Sequence, residues 1–197
     1  MFKRLLDLTL VLLSAPIVLP IVVLLAVTVA LLTGGKPFYS QLRVGKDGEQ
    51  FRMWKLRTMV KNADAQLESY LQKCPEARAE WDSTQKLKKD PRITPVGRLL
   101  RKTSIDELPQ LFNVLNGTMS LVGPRPMMVG QESFYHGRGY YDLRPGITGL
   151  WQVSDRNDCG FGDRVTYDNT YNRTLSLRLD LRILFQTAGV VMRATGH

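Results

Sequence analysis

The chain has 197 residues, enough for one domain with a real core and an appendage. Lysine and arginine number 27 against 18 acids, a net charge of +9, which favours polyanionic partners: nucleic acid, anionic lipid or phosphorylated small molecules. Two cysteines, Cys74 and Cys159, form no CxxC, and His136 and His197 lack zinc spacing; both facts argue against a disulfide framework or a zinc site and for an intracellular catalytic domain.

The stretch from Leu8 to Leu32 carries no charge and is long enough to span a bilayer core, which takes about 20 apolar residues. A cleaved signal peptide fits poorly, because the run is too long and no small-x-small site follows. A single spanning helix is the simplest expectation. Pro16 and Pro20 near its middle, however, favour a bend. Basic residues also flank both ends: Lys3 and Arg4 before, Lys36, Arg43 and Lys46 after. That symmetry suits a re-entrant helix that enters one leaflet and returns to the same face. Ser14 is placed to satisfy a carbonyl freed at the break, and Asp7 to pair with Arg4 or cap the helix.

Beyond Gly34-Gly35 the pattern changes. Phe38 to Val44 and Gln50 to Leu56 read as two strands around GKDG, a hairpin turn. Val60 to Lys73 reads as a helix with Ala63, Leu67, Tyr70 and Leu71 on one face. Pro75 opens a charged helix running toward Lys89. Thr94 has the character of an N-cap with Pro95 at the first helical position, and Arg98, Arg101 and Lys102 ride on that short helix. Pro109 places the start of the next helix within about four residues upstream of itself. Leu108, Leu111, Phe112 and Leu115 give this helix an apolar face, and Asn116-Gly117 ends it. Near the C-terminus Leu181, Leu184, Phe185, Ala188, Val191 and Met192 repeat at helical spacing, off the line of Arg182 and Arg193. Such a stripe faces a core or lies on a membrane surface.

Four clusters can carry chemistry. In SIDELPQL, Ser104 to Leu111, two adjacent carboxylates follow Arg101 and Lys102. The S-x-x-E spacing matches a capping box, with acids opposing the helix dipole. Alternatively, one carboxylate is a nucleophile and its neighbour holds a divalent ion, the combination phosphoryl chemistry needs. In Gly123-Pro124-Arg125-Pro126 the two prolines fix one guanidinium, which suits bidentate phosphate binding as well as an ordinary turn. In RPGITGLWQVSDRND, Arg144 to Asp158, glycines permit close backbone approach to a ligand and Trp151 offers a stacking surface. In KLRTM, Lys55 and Arg57 alternate at a strand end and so share one face, either as a solvated edge or toward a site.

Together these segments resemble the bacterial sugar transferases, monotopic phosphoglycosyl transferases that begin glycan assembly on a polyprenyl phosphate. The resemblance rests on KRLLD, the proline break, FRMWKLRTM, DPRITPVGRLLRKTSIDELPQLFNVLNGTMSLVGPRP, RPGITGLWQV and LSLRLDLRILFQT, in that order over nearly the whole chain. It looks most similar to short members that prime exopolysaccharide synthesis with galactose 1-phosphate. One departure is plain: many members carry Ser-Pro at the membrane break, whereas here Leu19 precedes Pro20 and Ser14-Ala15-Pro16 lies one turn earlier.

The resemblance implies an α+β fold that is mostly helical and monotopic. Residues 1–35 would form a re-entrant membrane helix-hairpin, and residues 36–197 a catalytic domain with a small β-hairpin and amphipathic surface helices. It further implies that Asp106 attacks the β-phosphate of a UDP-sugar and expels UMP, and that polyprenyl (undecaprenyl) phosphate then takes the sugar phosphate. Asp106 and Glu107 would hold Mg²⁺, while Arg101, Arg125, Lys55, Arg57 and Arg144 would bind phosphate. The implied location is the cytoplasmic face of the bacterial inner membrane, where UDP-sugar and lipid carrier meet, with downstream glycosyltransferases as further partners. A membrane-anchored nucleic-acid-binding module would account for the charge but not for the acid pair or the proline-flanked arginine, so no nucleic acid partner is expected. The alternative reading is a membrane-anchored, non-catalytic scaffold for partner enzymes, which would keep its role in an Asp106→Asn variant, whereas the enzyme would not. No Asp-x-Asp, GxxxxGK or GxGxxG occurs.

Overall fold

The computed structural model describes residues 2–84, 87–154 and 162–192. Cys159, Arg193, His197, the Asp155–Asp158 part of the Trp151 motif and the side chains of Val191 and Met192 lie outside the described residues.

Helix α1 runs from Phe2 to Thr33 with Pro16 and Pro20 inside it. It is the one helix among the described residues long and apolar enough to cross a membrane. The chain stays helical through both prolines, although each removes the N–H that would bond the carbonyl four residues back. Ser14 Oγ donates to the Val11 carbonyl at 3.0 Å, one turn before the first of them. Both ends of α1 pack on the rest of the molecule. At the N-terminal end Lys3 Nζ donates to Asp180 at 2.7 Å and to the Tyr171 hydroxyl at 2.9 Å. Arg4 donates to the carbonyls of Val114 and Leu115, not to Asp7. Asp7 instead accepts from Ser120 Oγ at 2.7 Å and from the Leu121 amide at 3.1 Å. At the C-terminal end Ala26 and Val29 share a buried cluster with Leu56 and Leu100, and Thr33 bonds Arg57. Between these anchors Leu12, Leu13, Ile17, Leu19, Val23 and Leu24 are 61–72% exposed.

Strands β1 (Phe38–Val44) and β2 (Gln50–Leu56) form the hairpin, in register from Phe38↔Leu56 to Val44↔Gln50. Its turn takes Asp47 and Gly48 to φ of 56° and 80°, as a tight hairpin connection requires. Two further strands follow, β3 (Ser120–Val122) and β4 (Met127–Met128). β4 adds to the free edge of β1, and β3 pairs in parallel with β5 (Gly146–Thr148). Phe51 and Met53 cluster with Val11, Val114 and Met119 beneath the hairpin.

Helix α2 spans Ala63–Lys73 and turns Ala63, Leu67, Tyr70 and Leu71 inward, the four residues its periodicity selects. Helices α3 (Pro75–Thr84) and α4 (Pro95–Lys102) follow. Thr94 Oγ1 caps α4 by accepting from the Gly97 amide at 3.0 Å. Glycine is needed there: a Cβ on Gly97 would lie 2.0 Å from the Thr58 carbonyl oxygen. That contact brings α4 against the end of β2. Helix α5 (Gln110–Asn116) ends at Gly117, φ 87°, the left-handed residue that closes a helix.

Helices α6 (Leu150–Val153), α7 (Asp163–Thr174) and α8 (Leu177–Met192) complete the fold. On α8 the buried residues are Asp180 and Ile183, while Leu177, Leu181 and Phe185 are exposed, Phe185 by 83%. The stripe is thus divided: Leu184 packs against the buried cluster of Val122, Leu143, Tyr171 and Ile183, whereas Leu181 and Phe185 face outward. Lys3 and Tyr171 hold the Asp180 side of α8 inward, and the apolar residues four apart along 177, 181 and 185 face outward. The whole is α+β and mostly helical.

Candidate active site

Ser104 does not form a capping box. Its φ is 56° and its side chain caps nothing. The reason lies upstream: α4 terminates through Thr103 and Ser104, whose amides bond the carbonyls of Leu99 and Arg101 at 3.2 and 3.1 Å. A residue used to end one helix in left-handed conformation cannot take the extended conformation of an N-cap. A 3₁₀ turn, Ile105–Glu107, follows, and α5 starts only after Pro109. The acid pair thus sits in a tight turn between two helices.

Asp106 is 6% exposed. Burial carries its carboxyl up to about 6; Lys55 and Arg101 oppose that rise and Glu107 adds to it. Lys55 Nζ donates to Glu107 Oε1 at 2.7 Å. Arg101 Nε donates to Thr58 Oγ1 at 2.9 Å. Burial lowers the Arg101 guanidinium below its ordinary value, against the pull of Asp106 and Asp90. Asp90 is buried, which raises its carboxyl, but hydrogen bonds and charge from Arg92 outweigh burial and hold it low. Arg92 grips Asp90 through Nε at 2.9 Å and Nη2 at 2.6 Å and lies 5.4 Å above the Trp81 ring. The charges of this pair act on Arg101 in opposite senses, Asp90 raising it and Arg92 lowering it.

A shallow cleft opens beside the turn. Arg43, Lys55, Glu107, Gln110, Arg125 and Gln152 supply its polar lining. Asp106 is not part of that wall; it is buried beside Glu107. A second, small hollow is lined by Arg125, Met127, Tyr135, Trp151, Arg164 and Asp168, so Arg125 borders both. Burial raises Asp168 to about 7, opposed by the Tyr135 hydroxyl, which donates to it at 3.0 Å, and by Arg164.

The GPRP turn is fixed by the backbone of the GITG segment. The Gly123 amide donates to Thr148 and the Gly146 amide to Pro124, both at 2.8 Å. A Cβ on Gly146 or on Gly149 would lie 2.1 Å from a backbone atom of Gly123. These glycines therefore admit another stretch of the chain, where close approach to a ligand was expected. Trp151 is buried, with Arg164 at 4.3 Å and Arg125 at 5.8 Å from its ring centre, so it is a base for two guanidiniums and not an open stacking surface.

The family model of the bacterial sugar transferases matches residues 1–194. The chain belongs to the bacterial sugar transferase family. It is 48% identical over 196 residues to a UDP-galactose-lipid carrier transferase of Erwinia amylovora, covering 98% of this chain and 41% of the relative. It is 52% identical over 165 residues to an undecaprenyl-phosphate galactose phosphotransferase of Salmonella typhimurium, covering 83% of this chain and 35% of the relative. A shorter relative, the exopolysaccharide production protein ExoY of Sinorhizobium fredii, is 41% identical over 196 residues, 98% of this chain and 87% of its own length. The chain thus spans well under half of the first two relatives.

In this bacterial sugar transferase the fold gathers Lys55, Glu107 and Arg125 around one cleft and sets Asp106 and Arg101 next to it. Two expected residues stand elsewhere. Arg57 lies past the end of β2, where alternation of faces no longer applies; it bonds Thr33, and its amide donates to Pro37 at 2.7 Å. Arg144 is exposed and donates to the Gly117 carbonyl at 2.7 Å. Arg43, Gln110 and Gln152 reach the cleft without having been singled out. Arg43 had a legible signal. The GKDG hairpin pairs it with Phe51, and cross-strand partners share a face, so Gln41, Arg43, Phe51, Met53 and Lys55 point the same way.

No group of three or more metal-ligating side chains occurs among the described residues. Magnesium commonly takes one or two carboxylates and completes its shell with water and substrate phosphate. Glu107 on the cleft wall and Asp106 beside it fit that style of site, with Lys55 sharing the Glu107 carboxylate.

Proposed function

We propose that the chain is a phosphoglycosyl transferase that moves a sugar 1-phosphate from a UDP-sugar, UDP-galactose first among candidates, to polyprenyl (undecaprenyl) phosphate. The observation that carries the proposal is Asp106: a buried carboxyl raised to about 6, so ionised at neutral pH, beside Lys55–Glu107 and Arg101 at the edge of a cationic cleft. Family membership and the printed names of the relatives support the same reaction.

In the first step an Asp106 carboxylate oxygen bonds to the β-phosphorus. The bond from that phosphorus to the oxygen bridging the α-phosphate breaks, and UMP leaves with the electron pair. In the second step a phosphate oxygen of the polyprenyl carrier attacks the same phosphorus and expels the Asp106 carboxylate, leaving polyprenyl-diphosphate-sugar. Lys55 and Arg101 offset the repulsion between an anionic nucleophile and an anionic phosphate. Arg125, held by its prolines, binds a phosphate oxygen pair. Mg²⁺ would be held by Asp106 and Glu107, and when bound it neutralises charge on the phosphate oxygens.

The reaction places the catalytic portion on the cytoplasmic face of the inner membrane, where UDP-sugars are. A re-entrant α1 satisfies that placement, and its two anchored ends support it. α1 advances about 27 Å between Val11 and Val29 at 1.5 Å per residue, whereas β2, whose Phe51 and Leu56 belong to the respective clusters, advances about 17 Å. A bend at Pro16 and Pro20 would bring both ends toward that strand and leave the exposed middle to enter one leaflet. The outward Leu181 and Phe185 of α8 suit the same lipid surface. The product would be extended by downstream glycosyltransferases in exopolysaccharide or other surface-glycan synthesis; nucleic acid has no part in it.

The deciding experiment incubates purified chain with UDP-galactose alone, then with a panel of other UDP-sugars, and measures UMP and intact mass. One equivalent of UMP and a sugar-phosphate adduct on the Asp106 peptide are expected, with EDTA suppressing both. UMP release by the Asp106→Asn variant at the wild-type rate would defeat the mechanism.

A further inference from the structure

Arg43 has a role that the reaction above leaves unassigned. It lies on β1, opposite Phe51 of β2 on one side and Met128 of β4 on the other. Its Nη1 donates to the Pro126 carbonyl at 3.2 Å and its Nη2 to Gln41 Oε1 at 2.7 Å. Its Nε is buried and has no hydrogen-bond partner among the described residues. A bare buried donor costs about 1–3 kcal/mol; Arg57 and Arg164 each carry one as well, so what sets Arg43 apart is that it lines the cleft beside Arg125.

Charge points the same way. Arg43, Lys55 and Arg125 line one cleft, and its one acidic lining residue, Glu107, already accepts from Lys55. Among the described residues neither Arg43 nor Arg125 makes an ion pair. Burial, and then the neighbouring Arg125, pull the Arg43 guanidinium down to about 10, while Tyr140, Tyr39 and Glu107 act the other way. Two guanidiniums on one cleft whose lining carboxylate is engaged by Lys55 form a site for a divalent anion, and planar forks suit phosphate.

We propose that Arg43 is a phosphate-binding residue, forming with Arg125 a two-guanidinium clamp for one phosphate group of a substrate. The clamp rests on the reaction proposed above. It is built from β1 and the GPRP turn, apart from the β2 and 3₁₀-turn residues around Asp106, so it grips a phosphate other than through the acid pair. The Pro126 tether links the two halves: the side chain of one arginine holds the turn that carries the other. Two phosphates have this chemistry, the diphosphate of the nucleotide donor and the phosphate of the lipid carrier.

The test uses full-length chain in detergent, with UDP-galactose and undecaprenyl phosphate varied separately for wild type, Arg43→Gln and Arg43→Lys. The glutamine variant should raise KM for one substrate by about tenfold or more, the scale of one lost charge-assisted contact; lysine should recover part of it. A rise for UDP-galactose assigns the clamp to the donor, and a rise for undecaprenyl phosphate assigns it to the carrier. Unchanged KM for both, with only kcat or melting temperature lowered, reduces Arg43 to a brace and overturns the proposal. A wild type that releases no UMP from any UDP-sugar defeats the reaction instead. The clamp is then read by phenylglyoxal labelling of wild type, which also serves if the variants do not fold. UDP or undecaprenyl phosphate should shield Arg43 and Arg125 while the outlying Arg144 still reacts, and labelling of Arg43 that neither ligand changes overturns the clamp.

Discussion

The Lys55 ammonium stands 2.7 Å from Glu107, and the buried Asp106 carboxyl feels those two charges in opposite senses. The ionised form of Asp106 is the nucleophile in the proposed reaction, and Mg²⁺ held by it would pull its metal-free value of about 6 downward, so single-turnover UMP release should fall as pH drops to about 6 and below. Lys55→Met removes the charge that most opposes the rise in Asp106, and the inflection should move to higher pH. Glu107→Gln removes a like charge and should move it lower. Both variants will be slower. Three superimposable pH profiles would detach the inflection from Asp106.

The same raised carboxyl sets a stability window. Asp106 holds its proton more tightly folded than unfolded, so its contribution is fully present below about pH 4 and is lost as pH rises through about 6. A shift of this size corresponds to about 1–3 kcal/mol. Asp106→Asn, which has no charge to bury, should melt higher than wild type at pH 7.5, with the gap narrowing at pH 5, while UMP release disappears. Thermal unfolding in detergent at the two pH values checks it; an asparagine variant less stable than wild type at pH 7.5 contradicts the burial argument.

Gly97→Ala should be costly for its size. The added methyl would meet the Thr58 carbonyl, which is backbone and cannot step aside. Separating α4 from Thr58 breaks the Arg101–Thr58 hydrogen bond and moves Arg101 relative to Asp106. A loss of about 1–3 kcal/mol is expected from overpacking, together with at least a tenfold fall in kcat. An alanine variant of normal melting temperature and turnover would show that α4 tolerates displacement.

Both ends of α1 pack on the rest of the molecule, and the re-entrant course proposed for it sets a topology prediction. In a background with Cys74 and Cys159 replaced by serine, Phe2→Cys and Lys36→Cys should both resist a membrane-impermeant maleimide applied to spheroplasts. Both should react in inside-out vesicles. Labelling of Phe2→Cys alone from the periplasmic side would mean that α1 spans the bilayer.

Much of this was legible in local chemistry. GKDG between alternating strands, Thr94-Pro95, the inward face of α2 and Asn116-Gly117 all agree with the structure, because each depends on neighbours a few residues away. The misses share a cause. Ser104 has the sequence of an N-cap, but the helix before it takes its backbone first. The glycines of GITG answer to Gly123, some twenty residues earlier, and Leu181 and Phe185 of the α8 stripe are turned outward by an ion pair with Lys3 at the other end of the chain. Arg57 loses its place in the alternation because β2 stops one residue short. Of the site, the residue types at Asp106, Glu107, Lys55 and Arg125 were readable, whereas their distances and the presence of Arg43 came only from tertiary packing.

The anchoring of α1 bears on how this protein is handled in the laboratory. Trimming the first thirty-odd residues will not release a well-behaved water-soluble enzyme. It would strip Ser120 and Leu121 of their acceptor, leave the buried Asp180 carboxylate without its cation and with only the Tyr171 hydroxyl, and open the hydrophobic seams that Val11 and Val29 now seal. Solubility is better sought by redecorating the outward leucines with glutamate and glutamine while Lys3, Asp7, Val11, Ala26 and Val29 stay in place, so that the helix remains as a splint after the lipid is gone.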